Sequence, residues 1–270
     1  MSIKLILVGC GNMGYAMLAG WLSSARLAAN EVLVVEPAEP LRARAEGLGV
    51  KCVEDASDIG SDVAPQLVLF AVKPQVIKSV VPAYATYAQT ATYLSVAAGT
   101  PVSAFQGILG EGAAIIRCMP NTPASIGKGM MVTFSNRNVT PGAEAFVLDL
   151  LSSSGEVTTV ADEALMDAVT AVSGSGPAYI FHFIECLTSA GQSAGLPTET
   201  AKLLAMQTVY GAACLAAESK EEPAELRRQV TSPNGTTAAA LAVFMDGERL
   251  KTLVTEAVEA ARARSVELGK

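Results

Sequence analysis

Along the first part of the chain, short runs of β-branched and other apolar residues alternate with stretches that read as helix. The runs cover residues 3–8, 32–35, 67–72, 93–97, 114–118, 130–134 and 157–160. Several are apolar at consecutive positions, as strands buried between two helix layers should be. Strand, crossover helix and parallel strand in repetition predict an α/β fold for residues 1–161, a Rossmann-type doubly wound parallel sheet. After Asp162 the strand rhythm stops. Residues 162–270 read as alanine-rich helix interrupted at Gly174, Gly195-Leu196-Pro197, Pro223 and Ser232-Pro233-Asn234-Gly235. Segments such as 179–187 and 203–215 carry apolar residues on more than one face. This all-helical half is therefore expected to form an intertwined dimer, with a compact monomeric bundle held by small alanine contacts as the alternative.

Composition narrows the function classes. Half of the 270 residues are apolar, which excludes a disordered or fibrous chain. Twenty-six acidic residues against nineteen basic ones give a net charge of −7, with no basic run to neutralise a phosphate backbone, so no nucleic-acid partner is expected. The apolar run at the start ends at Gly9, too early for a secretory signal. No stretch approaches the roughly 18 apolar residues that cross a bilayer, so the reading is a soluble, cytoplasmic protein with no membrane partner. Cys10, Cys52, Cys118, Cys186 and Cys214 are scattered without a Cys-x-x-Cys pair, and His182, the one histidine, lies in an apolar run. Neither a disulfide framework nor a metal site is expected, and His182 reads as structural.

Gly9-Cys10-Gly11-Asn12-Met13-Gly14 has the Gly-x-Gly-x-x-Gly spacing, follows a strand directly and opens a helical segment at Met13. In that setting Gly9 permits the tight turn, Gly11 lets the backbone approach a pyrophosphate, and Gly14 lets helix and strand pack closely. The helix start offers unpaired N–H groups to the phosphates; the alternative is a glycine turn that holds no ligand. Glu36 ends the second strand about twenty residues on, where an acid can accept hydrogen bonds from both adenosine ribose hydroxyls. That favours NADH, yet Arg42 and Arg44 follow and either can swing onto a 2′-phosphate, while Glu36 can also be read as a solvated loop carboxylate. The cofactor is thus NADPH or NADH. Strand-end turns supply the rest of the groove: Val72, Lys73 and Pro74; Ala97 and Ala98; and Asn121, within Met119-Pro120-Asn121-Thr122-Pro123. Asn121 is read either as a donor to the nicotinamide amide or ribose or as a plain turn former.

The glycine loop, Val72-Lys73-Pro74-Gln75, Met119 to Ala124, Ser173-Gly174-Ser175-Gly176-Pro177-Ala178-Tyr179 and Ser232-Pro233-Asn234-Gly235-Thr236-Thr237 occur in this order. With them the chain closely resembles the pyrroline-5-carboxylate reductases over nearly its whole length. One departure is Asn234, where a glycine is more usual; asparagine tolerates positive φ, so the loop is expected to keep its shape. The resemblance implies hydride transfer from NAD(P)H to the C=N bond of Δ1-pyrroline-5-carboxylate, giving L-proline in the last step of proline synthesis. It also implies a homodimer through the C-terminal helices, with the active site between one subunit's cofactor domain and helices of the dimer, and in some members further assembly of such dimers into decamers.

Reduction of an imine needs alignment and a proton or hydrogen bond at nitrogen more than it needs a strong acid. Residues 232–237 precede a helical run from Ala238 to Met245, so their backbone N–H groups form a carboxylate cradle without lysine or arginine. Ser232, Asn234, Gly235, Thr236 and Thr237 are the expected substrate residues. By resemblance Thr237 is the catalytic one, hydrogen-bonding the ring nitrogen; the alternative is that Thr236 or Thr237 only caps the helix. Ser175 and Gly176 are expected on the other wall of the pocket, or as an N-cap ahead of Pro177 for a helix over 177–194. A β-hydroxyacid dehydrogenase is the nearest rival, but none of Lys202, Lys220, Lys251 and Lys270 sits in a glycine or asparagine motif of the kind such enzymes use. A non-catalytic nucleotide sensor would need no cradle.

Overall fold

The computed structural model describes residues 3–269; Lys270 lies outside them. Among these residues eight strands form one sheet: β1 (Leu5–Val8), β2 (Val32–Val35), β3 (Lys51–Val53), β4 (Leu67–Phe70), β5 (Thr92–Ser95), β6 (Ala114–Met119), β7 (Gly129–Ser135) and β8 (Gly155–Thr159). Their spatial order is β3-β2-β1-β4-β5-β6-β7-β8. The chain steps from β1 out to β3, returns to place β4 on the other side of β1, and continues outward. The connections therefore reverse between β1 and β4, which opens a crevice at the carboxyl ends of those two strands. Helices α1 (Asn12–Ser23), α2 (Glu39–Glu46), α3 (Ile77–Val80), α4 (Val102–Leu109), α5 (Pro141–Leu151) and α6 (Met166–Val169) accompany the sheet.

Strand alternation divides the core in two. Leu5, Leu7, Val32, Val34, Leu67 and Leu69 pack with Met17, Leu18 and Trp21 of α1 and with Val147, Leu150 and Leu151 of α5. Ile6, Val8, Leu33, Val35, Val68 and Phe70 face the other side, against Tyr84, Val102, Phe105 and Leu109. Phe70 stacks at 6.0 Å on Tyr93, whose hydroxyl donates to the Tyr84 carbonyl at 2.7 Å, so this buried phenol is satisfied.

Two features depart from the all-parallel expectation. β7 runs antiparallel to β6, and β8 is parallel to β7. Residues 120–128 between β6 and β7 hold only a 3-10 turn, Thr122–Ile126, too short a connection for a parallel crossover. β3 was not foreseen, because three residues on an edge carry too little pattern.

The chain forms two compact units, one running to Ser175 and taking in the residues from Ala261 on, the other Gly176–Ala260. The second unit contains α7 (Gly176–Ser193), α8 (Thr198–Glu218), α9 (Pro223–Gln229), α10 (Thr236–Met245) and most of α11 (Arg249–Leu268). α7 and α8 approach through small residues: a Cβ on Gly191 would lie 3.3 Å from that of Ala201. In α7 to α10 only Ala201 and Ala205 are buried, while Phe181, Leu203, Met206, Tyr210 and Leu215 are exposed. No helix among the described residues is long and apolar enough to cross a membrane.

Gly174 does not interrupt the helical path as expected. Residues Thr170–Gly174 form a π-turn, in which Ser175 N–H donates to the Thr170 carbonyl at 2.8 Å. α7 consequently begins at Gly176, and Ser175, with α-region φ and ψ, is not an N-cap.

Candidate functional site

The three glycines of the first loop answer to different demands. Gly9 has φ +87, and a Cβ there would stand 2.7 Å from Val72 Cγ1 and 2.9 Å from the Ala71 carbonyl. A Cβ on Gly14 would collide with the Gly9 carbonyl oxygen. These two are glycine because the protein's own atoms leave no alternative. Gly11 is different: its φ of −63 suits any residue, and a Cβ would meet nothing within 4 Å. The space in front of it is left clear by the fold. Helix α1 starts beside it with no side-chain cap and no acid in its first turn, leaving the N–H groups of that turn to an outside acceptor. The donors and the clearance fit the pyrophosphate of a dinucleotide. Asn12, Met13, Tyr15, Arg44, Thr122 and Ser125 line a cavity of about 420 Å³ next to the loop. A second cavity, about 390 Å³ at the amino ends of β4 to β6, opens at the end of the sheet where such folds do not bind ligands.

Glu36 is buried rather than solvated, which removes one of its two readings. Its Oε2 accepts the Cys10 N–H at 2.7 Å and its Oε1 the Ala38 N–H at 2.9 Å, tying the end of β2 to the glycine loop. Arg44 Nη2 donates to the carbonyls of Cys10 (3.0 Å) and Gly11 (3.2 Å), and its guanidinium lies 4.0 Å over the Tyr15 ring. Arg42 Nη1 donates to the carbonyls of Glu36 (2.7 Å) and Pro37 (3.0 Å). Motif spacing alone gave no sign that both arginines hold main-chain carbonyls. Burial pushes the Cys10 thiol up to about 11, so it stays protonated near neutral pH and packs as a small apolar side chain.

The strand-end turns divide between groove and scaffold. Val72 flanks Gly9, while Lys73 is exposed and precedes the 3-10 turn that Pro74 opens. Ala97 is buried and Ala98 half-buried; the next residue, Gly99, leaves room for the end of α11, since a Cβ there would lie 3.0 Å from Leu268 Cβ. Asn121 holds the β6–β7 turn. Its Oδ1 accepts the Met130 N–H at 2.9 Å, and its Nδ2 donates to the Ser173 carbonyl at 3.2 Å. Ser173 is four residues before Pro177, which has no N–H to give it, so the Asn121 amide serves the carbonyl that proline cannot. Two residues before Met119, Arg117 is buried and pairs with Glu163 at 2.7 Å, and the same Glu163 oxygen accepts the Val102 N–H at 2.7 Å. A lone arginine inside the apolar run 114–118 is the one sequence signal for this pair.

In the second unit, the Gly235 N–H donates to the Ser232 carbonyl at 3.0 Å. Pro233 and Asn234 occupy the middle of this turn, and Asn234 has φ +59, the pattern of a type II turn. Asparagine thus takes the left-handed conformation expected of it. α10 begins at Thr236 behind Gly235 as N-cap, with no side-chain cap. Neither threonine hydroxyl caps the helix, so that alternative falls. Ser232, Asn234 and Thr236 are exposed, Gly235 and Thr237 half-buried. The first-turn N–H groups of this ten-residue helix lack partners within it. Among the described residues no group of three histidine, cysteine or acidic side chains is arranged to hold a metal ion.

Comparison with known proteins agrees with both halves. Residues 163–268 match the family model for pyrroline-5-carboxylate reductase dimerisation, and residues 4–99 match that for NADP oxidoreductase, coenzyme F420-dependent. The pyrroline-5-carboxylate reductase of Pseudomonas aeruginosa is 40% identical over 99% of this chain and 97% of its own length. That of a Synechocystis species is 41% identical over the whole of both. Among solved structures, the pyrroline-5-carboxylate reductase of Coxiella burnetii superimposes with a TM-score of 0.92 at 33% identity, covering all of both chains. The pyrroline carboxylate reductase of Plasmodium falciparum, solved with NADP bound, gives 0.86 at 29% identity over 99% of this chain and 98% of its own. Because identity of this size extends over the whole length of the chain and of these relatives, the chain belongs to the pyrroline-5-carboxylate reductase family.

Proposed function

We propose that this protein reduces the C=N bond of Δ1-pyrroline-5-carboxylate to give L-proline, the last step of proline synthesis, working as a homodimer joined through its C-terminal helices. Residues 1–161 bind the dinucleotide in this reading, and residues 162–270 supply the dimer contact and the substrate residues. The observation that carries it is the end-to-end identity with reductases of that name, 40–41% in two relatives.

When bound, NAD(P)H supplies the hydride. Gly11 and the first-turn N–H groups of Asn12, Met13 and Gly14 take the pyrophosphate, with Gly9 holding the turn behind them. Glu36 takes the adenosine ribose. Val72, Lys73, Pro74, Ala97, Ala98 and Asn121 rim the nicotinamide side. The substrate carboxylate is held by the open start of α10 with Ser232, Asn234, Gly235 and Thr236, where unpaired N–H groups and the helix dipole balance its charge. Ser175 and Gly176 make further substrate contacts. Thr237 donates to or shares a proton at the ring nitrogen; its hydroxyl does no capping, which leaves it to that task. A hydrogen-bonded or protonated imine nitrogen draws electron density from the carbon, and the rest of the acceleration comes from alignment.

The dimer is supported by the apolar side chains that one chain leaves exposed in the second unit. The deciding measurement follows oxidation of NADH and of NADPH side by side with pyrroline-5-carboxylate, with L-proline identified as product. Oxidation of at least one coenzyme with stoichiometric L-proline is expected. Coenzyme binding without turnover of the imine acid would overturn the proposal.

A further inference from the structure

At the carboxyl end of β2 sits a carboxylate that is buried, fixed and only half satisfied. Glu36 is 5% exposed. Each of its oxygens accepts one backbone N–H, from Cys10 at 2.7 Å and from Ala38 at 2.9 Å. An ionised carboxylate has about four acceptor sites and no donor, so each oxygen keeps one site for a further donor. From this geometry we infer that Glu36 makes the enzyme select NADH over NADPH, a preference that rests on the dinucleotide reading proposed above.

The complementarity is chemical. The adenosine ribose of NADH carries neighbouring 2′ and 3′ hydroxyls, two O–H donors for two waiting acceptors. In NADPH the 2′ hydroxyl is a phosphate monoester, which offers mainly acceptors and a charge of about −1.5 to −2 near neutral pH. Placed against a carboxylate that two main-chain amides hold still, that group meets repulsion in a partly buried setting, where charges are poorly screened.

The nearby cations are already engaged with main-chain carbonyls. Arg42 Nη1 is engaged by the carbonyls of Glu36 and Pro37, and its Nη2 lies 3.4 Å from Glu54 Oε2. Arg44 is engaged by the carbonyls of Cys10 and Gly11 and rests on Tyr15. To turn away from these carbonyls, either guanidinium would have to give up two main-chain hydrogen bonds. Between them and β2, Glu39 opens α2 with another negative charge.

Direct binding tests the inference without turnover. NADH and NADPH are titrated separately into the wild-type protein and read by nicotinamide fluorescence, and the expected dissociation constant for NADH is tighter by about tenfold or more, the weight of one charge-assisted hydrogen bond. Displacement of bound NADH by 5′-AMP and by adenosine 2′,5′-bisphosphate should show the same order, with AMP the better competitor. In Glu36→Gln the ratio of the two dissociation constants should fall to near unity or invert, with a melting curve to confirm folding. Equal or tighter binding of NADPH to the wild type, or an unchanged ratio in the variant, overturns the preference and leaves the reductase reading standing. Binding of neither coenzyme overturns both. If the variant does not fold, the wild-type titrations and the AMP pair still decide.

Discussion

Gly11 and Gly14 stand three residues apart in one loop, yet their substitutions should fail in opposite ways. Gly14→Ala places a methyl group against the Gly9 carbonyl, and overpacking of that kind costs about 1–3 kcal/mol; it should lower the melting temperature visibly. A Cβ on Gly11 meets nothing within 4 Å, so Gly11→Val should cost little beyond the poorer N-cap that valine makes for α1, about 1 kcal/mol. The coenzyme dissociation constant should nonetheless rise by at least tenfold, because the cleared space is filled. Normal coenzyme binding in Gly11→Val would remove the loop from the site. Thr237 offers a second contrast. Thr237→Ala should lower kcat/KM for the imine acid by about 100-fold or more, the usual weight of a proton-transfer group, with coenzyme affinity unchanged. No helix cap is lost in that variant, since Gly235 occupies the N-cap position; a drop in stability in place of a drop in rate would count against the assigned role.

Between residue and whole molecule, the π-turn before α7 shows what local pattern reveals and what it hides. Gly174 and Pro177 both read as helix breakers, and a break was the natural expectation. The chain instead absorbs them by widening one turn, and Asn121, some fifty residues earlier, supplies the hydrogen bond that Pro177 withholds from Ser173. Such a remote partner leaves no periodic trace in the sequence. Asn121→Ala strips a donor from the Ser173 carbonyl and an acceptor from the Met130 N–H together. Leaving two half-buried main-chain groups unpaired should cost about 2–4 kcal/mol, read as a shift of the denaturation midpoint. A loss below about 0.5 kcal/mol would show that the clamp bears little. The turn ahead of α10 was more legible, because the departure of Asn234 from glycine already implied a positive φ, and φ is +59. There Asn234→Gly should leave kcat/KM within about twofold, whereas Asn234→Val forces a β-branched residue into the left-handed region at a cost of about 1–2 kcal/mol and should impair turnover of the imine acid.

At the scale of the molecule, the two halves of the chain reach stability differently. The sheet unit was readable in outline because its strands are consecutive apolar runs with helices between them, and each strand face finds a core within one chain. The reversed β7 and the short β3 were not, since strand direction and edge position depend on connection length and neighbours. In the helical unit the apolar faces were readable but their covering was not: α8 buries Ala201 and Ala205, while Leu203 is 67% and Tyr210 63% exposed. Leu203, Met206 and Tyr210 share one face at helical spacing. If each chain worked alone, Leu203→Asp would be an ordinary surface substitution, neutral or solubilising. If a second copy covers that face, the same change buries an unpaired carboxylate, at about 3–5 kcal/mol. The dimer dissociation constant should then rise by roughly 100-fold or more, seen by sedimentation across a dilution series, and activity per chain should fall as the protein is diluted. Helices whose large side chains have no cover in a monomer should also lose structure on dissociation, as in obligate dimers that have no stable folded monomer, so far-ultraviolet circular dichroism should decline over the same concentration range. A Leu203→Asp variant that keeps both the wild-type sedimentation coefficient and full activity at high dilution would place the contact elsewhere.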